Sequence, residues 1–193
     1  AQVDGLFALA PWLYLFLVPA VTMRMFAEEK HSGTIELLYT KPLSELQIVL
    51  GKYLAGVVLV MLSLIPTIIY YFSVYYLAEP LGNIDSGAFW GSFIGLFFLA
   101  VVYVSVGIFA SSLTENQIVA FLLALVMCFV LFIGFDLVGS IFSSGKVQAA
   151  FSFFGINDHY ESMSRGVIDL RDVVYFISAA AIFIIATTRT IKR

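Results

Sequence analysis

The chain has 193 residues, 61% of them hydrophobic and only 12% charged, with a mean hydropathy of +1.00. Soluble domains carry about 25% charged residues, so this composition excludes an ordinary water-soluble globule and points to lipid as the solvent. A net charge of −3, with no basic cluster among exposed aromatics, excludes nucleic acid as a partner, and the single Cys128 excludes an intrachain disulfide.

The opening, AQVDGLFALAPW, has no initiator Met, basic n-region or cleavage site, and reads as the middle of a longer chain. A span needs roughly 20 mainly apolar residues to cross about 30 Å of hydrocarbon. Five uncharged stretches meet or approach this: Gly5–Met23, Tyr53–Ala78, Gly87–Thr114, Asn116–Phe135 and Val173–Thr188. They lack period-2 alternation and are too long for strands, so helices are expected at about 6–26, 50–78, 88–112, 116–137 and 172–189. Pro11 and Pro19 interrupt the first, and Pro66 is expected to kink or tilt the second. Residues 1–193 thus read as one all-α, polytopic transmembrane domain.

The connections differ in character. A polar segment, 27–47, separates the first two spans, and the turn-rich EPLGNIDSG separates the next two. Thr114-Glu115-Asn116 closes a tight antiparallel hairpin between the third and fourth. A long segment, 138–171, precedes the last span, and within it GKVQAAFSFFG reads as a short amphipathic helix on the outer leaflet. Placing the polar segment in the cytoplasm puts Arg24, Lys30, Lys41, Lys52, Arg189, Lys192 and Arg193 inside and Lys146, Arg165 and Arg171 outside. That asymmetry satisfies the positive-inside rule. Trp12, Trp90 and Tyr70, Tyr71, Tyr75 and Tyr76 then mark the outer interface, and the C-terminus is cytoplasmic. A further span upstream would bring the N-terminus to the same side.

No span carries a charge near its centre, which argues against an ion-coupled pump. Asp136 reads as an interfacial carboxylate. Phosphate-loop, zinc-protease and nucleophile-elbow patterns are absent, and His31 and His159 are expected on opposite sides of the membrane, so they share no metal. No catalytic, cofactor or metal site is expected.

The polar segment has a specified geometry. Arg24 and Glu28 form an i,i+4 pair on a continuation of the first helix. Gly33 permits a break, and Thr34 is expected to cap a short helix from Ile35 to about Lys41, with Glu36 in its first turn and Ile35, Leu38 and Tyr39 on one face. Pro42 ends it, and Ser44-Glu45-Leu46-Gln47 is a capping box that starts the next helix. Gly91-x-x-x-Gly95 is a small-residue contact suited to packing within the chain.

The pattern E-E-K-x-S-G-T-I-E-L-L-x-T-x-P at Glu28–Pro42, followed by Gly51-Lys52, resembles the signature of permease subunits of type-2 ABC exporters. HYESMSRGVIDLRDVVYF, His159–Phe176, is similar to the segment before the last span of that family. More narrowly the chain looks like the gliding-motility-associated permease of Bacteroidetes, from Ala10 onward. The resemblance implies a six-span fold, of which five are here, in the bacterial cytoplasmic (inner) membrane. It implies a cytoplasmic ABC ATPase subunit as partner, a second permease subunit in a homo- or heterodimer, and ATP hydrolysis outside this chain. Glu28, Glu29, Gly33, Thr34, Ile35, Glu36, Leu38, Tyr39 and Pro42 would form the ATPase-coupling site. The acids would hold the coupling helix against its neighbours or pair with basic residues of the ATPase; their ordinary reading is as solvated helix charges. His159, Tyr160 and Glu161 would belong to an outer gate, and the first and fourth spans to the dimer and substrate route. The alternative is a non-transporting assembly or anchoring protein that docks a cytoplasmic partner.

Overall fold

The computed structural model describes residues 4–78, 85–142 and 145–191. Among these every regular element is helical: α1 (Asp4–Thr22), α2 (Arg24–His31), α3 (Ile35–Tyr39), α4 (Glu45–Leu77), α5 (Ser86–Leu113), α6 (Gln117–Phe129), a π-helical turn (Val130–Gly134), α7 (Phe135–Ile141), α8 (Gly145–Ser152), α9 (Ile156–Ser164) and α10 (Leu170–Thr190). Five helical stretches are long and apolar enough to cross a membrane: Gly5–His31, Glu45–Leu77, Ser86–Leu113, Gln117–Ile141 and Leu170–Thr190. They coincide with the five uncharged stretches. Most of EPLGNIDSG, together with Lys192 and Arg193, lies outside the described residues.

Local chemistry sets the boundaries. Asn116 ends its tight turn by accepting from the N–H of Ile118 and Val119, which opens α6. Asp85 accepts from Ala88 N–H and opens α5. Asp169 accepts from Arg171 N–H and opens α10. Ser44 forms the expected capping box: its hydroxyl accepts from Gln47 N–H, and the Gln47 side chain accepts from Ser44 N–H. Each cap satisfies donors that a helix start leaves free. The helix α4 continues unbroken through Pro66.

The third span is the centre of the bundle. Of the 28 residues of α5, 17 are buried, against six of 33 in α4. It packs against α1, α4, α6, α9 and α10. Elsewhere the outward faces carry Leu54, Leu62, Ile65, Leu122, Val126 and Ile182, side chains that only hydrocarbon would solvate well. The bundle has two ends. One carries α2 and α3 and is labelled the coupling end after the expectation raised by the resemblance; the other carries α8 and α9, the far end.

Close approach to α5 depends on missing side chains. At the far end a Cβ on Gly91 would run into Met163 O and lie 2.7 Å from Gly166 Cα, and one on Gly95 would lie 3.1 Å from Met163 Cβ. Gly91 and Gly95 therefore seat α9 and the turn after it, an intramolecular contact as their spacing implied. Gly166 itself has φ +85°, a conformation that favours glycine.

Gly91→Ala is expected to lower stability by ~2 kcal/mol, because the obstructing atoms are backbone and cannot move aside. Gly51→Ala, where nothing lies within 4 Å of the new methyl, is expected to be neutral or stabilising by ~0.5–1 kcal/mol. Thermal unfolding of the purified protein in detergent checks both, and equal behaviour would refute the packing account.

Candidate functional site

At the coupling end, α2 is fastened to two spans by polar contacts. Lys52 of α4 places its ammonium 2.6 Å from Glu29 Oε1 and 2.6 Å from Met25 O, and lies 4.9 Å from the centre of the Phe26 ring. Lys30 reaches the other way and donates to Ser112 O at 2.5 Å, near the C-terminal end of α5, where a cation is favoured by the helix dipole. Between them Ser111 of α5 enters the break between α1 and α2. Its hydroxyl accepts from the N–H of Phe26 and of Ala27, each at 3.0 Å, and donates to Met23 O at 2.8 Å. One turn back on α5, Gly107 is covered by Thr22; a Cβ there would lie 2.8 Å from Thr22 Cβ.

Gly33 provides the expected break, with φ +72°. Beyond it α3 is shorter than expected, ending at Tyr39 with Thr40 as its cap. Two other expectations fail. Thr34 does not cap α3: its backbone is already helical and its hydroxyl lies 2.9 Å from Ser32 Oγ, drawn back toward the end of α2. Arg24 and Glu28 make no ion pair among the described residues; the pairing acid is Glu29, whose partner Lys52 is distant in sequence.

Ile35 and Leu38 share a face, as the spacing implied, and that face rests on the protein's own core. Tyr39 donates its hydroxyl to Ile191 O at 2.9 Å, tying α3 to the end of α10. What α3 leaves outward is Glu36 and Leu37, the latter 66% exposed. Glu28 and Pro42 are also exposed.

Neither Ser111 nor Gly107 was singled out from the sequence. Their i,i+4 spacing in GIFASS is a signal of the same kind as Gly91-x-x-x-Gly95, at the opposite end of the same span.

At the far end three adjacent residues do three different things. His159 is buried, with Nδ1 2.7 Å from Asp172 Oδ1, Nε2 3.0 Å from Phe153 O, and its ring stacked on Tyr175 at 4.0 Å. Tyr160 donates to Phe7 O at 2.7 Å, joining α9 to α1, and its burial pushes the phenol's pKa up. Glu161 is exposed and faces Arg165 at 3.7 Å. Tyr160 and Glu161 border a cavity of about 560 Å³ between α1, α9 and the π-helical turn, which Trp12, Phe132 and Asp136 also line. Asp136 is partly buried there, with Oδ1 shielded from solvent and Asn157 beside it.

A family model described as ABC-2 family transporter protein matches residues 8–189, from the first turns of α1 to the last turn of α10. No curated protein matches the chain. The match takes in all five spans, the coupling end and the far-end helices, and members of this family are transmembrane components rather than catalytic subunits. The chain therefore belongs to the ABC-2 transporter family and is a multi-pass membrane permease component of an ABC transporter.

Proposed function

We propose that the chain is the membrane subunit of an ATP-driven exporter, worked by a separate cytoplasmic ATPase through α3. The observation that carries this reading is the presentation of α3. A five-residue helix is held between a glycine break and a capped span, its inner face on the core and Leu37 outward. An exposed leucine in a polar connection outside the spans has no lipid to cover it and suits the apolar groove of a partner. Glu36 beside it offers a charge to basic residues on that partner, and Glu28 lies exposed nearby. Glu29 holds α2 in place instead.

The coupling end faces the cytoplasm of a bacterial inner membrane. Among the described residues Arg24, Lys30, Lys41, Lys52 and Arg189 lie there, against Lys146, Arg165 and Arg171 at the far end. A second permease subunit packs across the first and fourth spans, whose outward faces carry Leu9, Leu13, Phe16, Leu122 and Val126. The far-end helices act as the outer gate, with His159 and Tyr160 holding α9 to α10 and α1. The resemblance to gliding-motility permeases favours a role in export or in the machinery of that movement. Anchoring of a partner without ATP coupling is the competing function, separated by the first test below.

Leu37→Asp is expected to weaken binding of the ATPase to the full-length protein by about tenfold, with thermal stability unchanged. Leu38→Asp should destabilise the permease itself. Binding without any stimulation of ATP hydrolysis by the wild-type protein would establish the anchoring function instead. Cysteines at Ser32 and Lys146, probed with an impermeant reagent, are expected to label from opposite sides of the membrane, and same-side labelling would sink the orientation. At the outer gate, His159→Leu leaves Asp172 and Phe153 O without their partner, at about 1–3 kcal/mol. Hydrogen exchange should then quicken across 156–164; unaltered protection would show that His159 does not hold α9.

A further inference from the structure

We propose that Ser111 is a positioning residue for coupling: its hydroxyl holds the break between α1 and α2 open and passes movement of the coupling end directly into the central span. The inference rests on the coupling reading of α3 and adds a route that the chain's own connectivity does not provide.

In an unbroken helix, Phe26 N–H would donate to Thr22 O and Ala27 N–H to Met23 O, four residues back. The Ser111 hydroxyl accepts from both N–H groups and donates to Met23 O, at 3.0, 3.0 and 2.8 Å. A side chain from another span is thus inserted into the hydrogen-bond ladder, a recognised cause of a helix break. It also serves as the cap that Met23, the residue at the start of α2, cannot supply. Ser111 is completely buried, so water cannot take over these bonds. Met23 keeps helical backbone angles, φ −55° and ψ −30°, so the bonds to Ser111 and an unbroken α1–α2 ladder, released from α5, differ by a small local change.

The position of Ser111 decides what that difference does. Along the chain, α3 connects through α2 to α1 and through its other end to α4. Only side-chain contacts reach α5 from α2, and α5 is the span that touches α1, α4, α6, α9 and α10. Lys30, bonded to Ser112 O, strengthens the same junction from the next residue of α5. Gly107 lets α1 lie against α5 one turn away. A push on α3 therefore reaches α5, and with it the α9 seat at Gly91, through Ser111, beside the routes to α1 and α4 along the chain and to α10 through Tyr39.

The test uses the full-length protein with its ATPase in phosphatidylethanolamine–phosphatidylglycerol vesicles. Three quantities are read: ATPase affinity, stimulation of ATP hydrolysis, and the distance distribution between spin labels at Thr40→Cys and Leu113→Cys in a Cys128→Ser background. Ser111→Ala is expected to reduce stimulation by about fivefold, leave affinity within about twofold, and broaden the distance distribution. Ser111→Thr, which keeps the hydroxyl, is expected to restore both. If Ser111→Ala does not accumulate, Ser111→Cys, a weak acceptor of similar volume, carries the same expectation. Full stimulation with a narrow distribution overturns the proposal, as does a loss of affinity that accounts for the lost stimulation. If the wild-type protein itself neither binds nor stimulates the ATPase, the coupling reading fails. The label distances then still decide whether Ser111 fastens α2, since a distribution unchanged by Ser111→Ala overturns that part.

Discussion

The rest of the molecule depends on how closely other backbones can approach the third span. Gly91 and Gly95 admit the end of α9, and Gly107 admits the end of α1. Within hydrocarbon, helices gain nothing from hiding apolar groups from one another, since lipid is as apolar as a neighbouring leucine. Specific association must come from dispersion at short range and from polar groups that find partners. Glycine provides the first, by letting atoms meet that a methyl group would hold apart. Ser111, one turn from Gly107, provides the second, and can do so only because Gly107 has brought the α1–α2 junction within hydrogen-bond reach. Gly91 and Gly107 are separated by roughly four and a half turns at 3.6 residues per turn, so the two contacts fall on nearly opposite faces of α5. The span is gripped at each end from a different side.

The two grips are chemically unlike. At the far end α9 rests on glycines, on the buried His159–Asp172 pair and on an aromatic stack with Tyr175. At the coupling end the fastening consists of hydrogen bonds and one ion pair: Ser111 to the α2 backbone, Lys30 to Ser112 O, and Lys52 to Glu29 and Met25 O. Both lysines present the ammonium to a carbonyl or carboxylate, a disposition suited to a membrane boundary. Hydrogen bonds to a backbone can be exchanged for other hydrogen bonds at small net cost, whereas a packed interface can only be separated.

The spans were legible because length without charge is a strong signal and nothing in this sequence competes with it. The Ser44–Gln47 capping box and the Gly33 break were legible because each is a local rule with a single backbone solution. Thr34 misled because its cap would have used a hydroxyl that an equally close neighbour, Ser32, could also engage. A five-residue helix is too short for periodicity to say which side meets the protein, and Leu37 emerged as the outward residue only from the fold. The Lys52–Glu29 pair and the Ser111 bonds join residues far apart in sequence, so no local rule reaches them. The π-helical turn at Val130–Gly134, which helps form the wall behind Asp136, leaves no mark in an apolar run.

A transporter subunit needs at least two arrangements of comparable free energy, because a partner can move it only by favouring one over the other. Most of this molecule is unsuited to that. The interior of α5 is densely filled, and displaced side chains there would leave voids in a close-packed core. The junction at Met23 is different, since its N–H and C=O groups have satisfied partners whether they bond to Ser111 or to their own helix. On the proposed coupling reading, such a junction between α3 and the most connected span turns a small local exchange into a movement of the bundle. Among the buried serines of α5, Ser92, Ser105 and Ser112 each donate to one carbonyl, whereas Ser111 bonds three backbone groups of the α1–α2 junction.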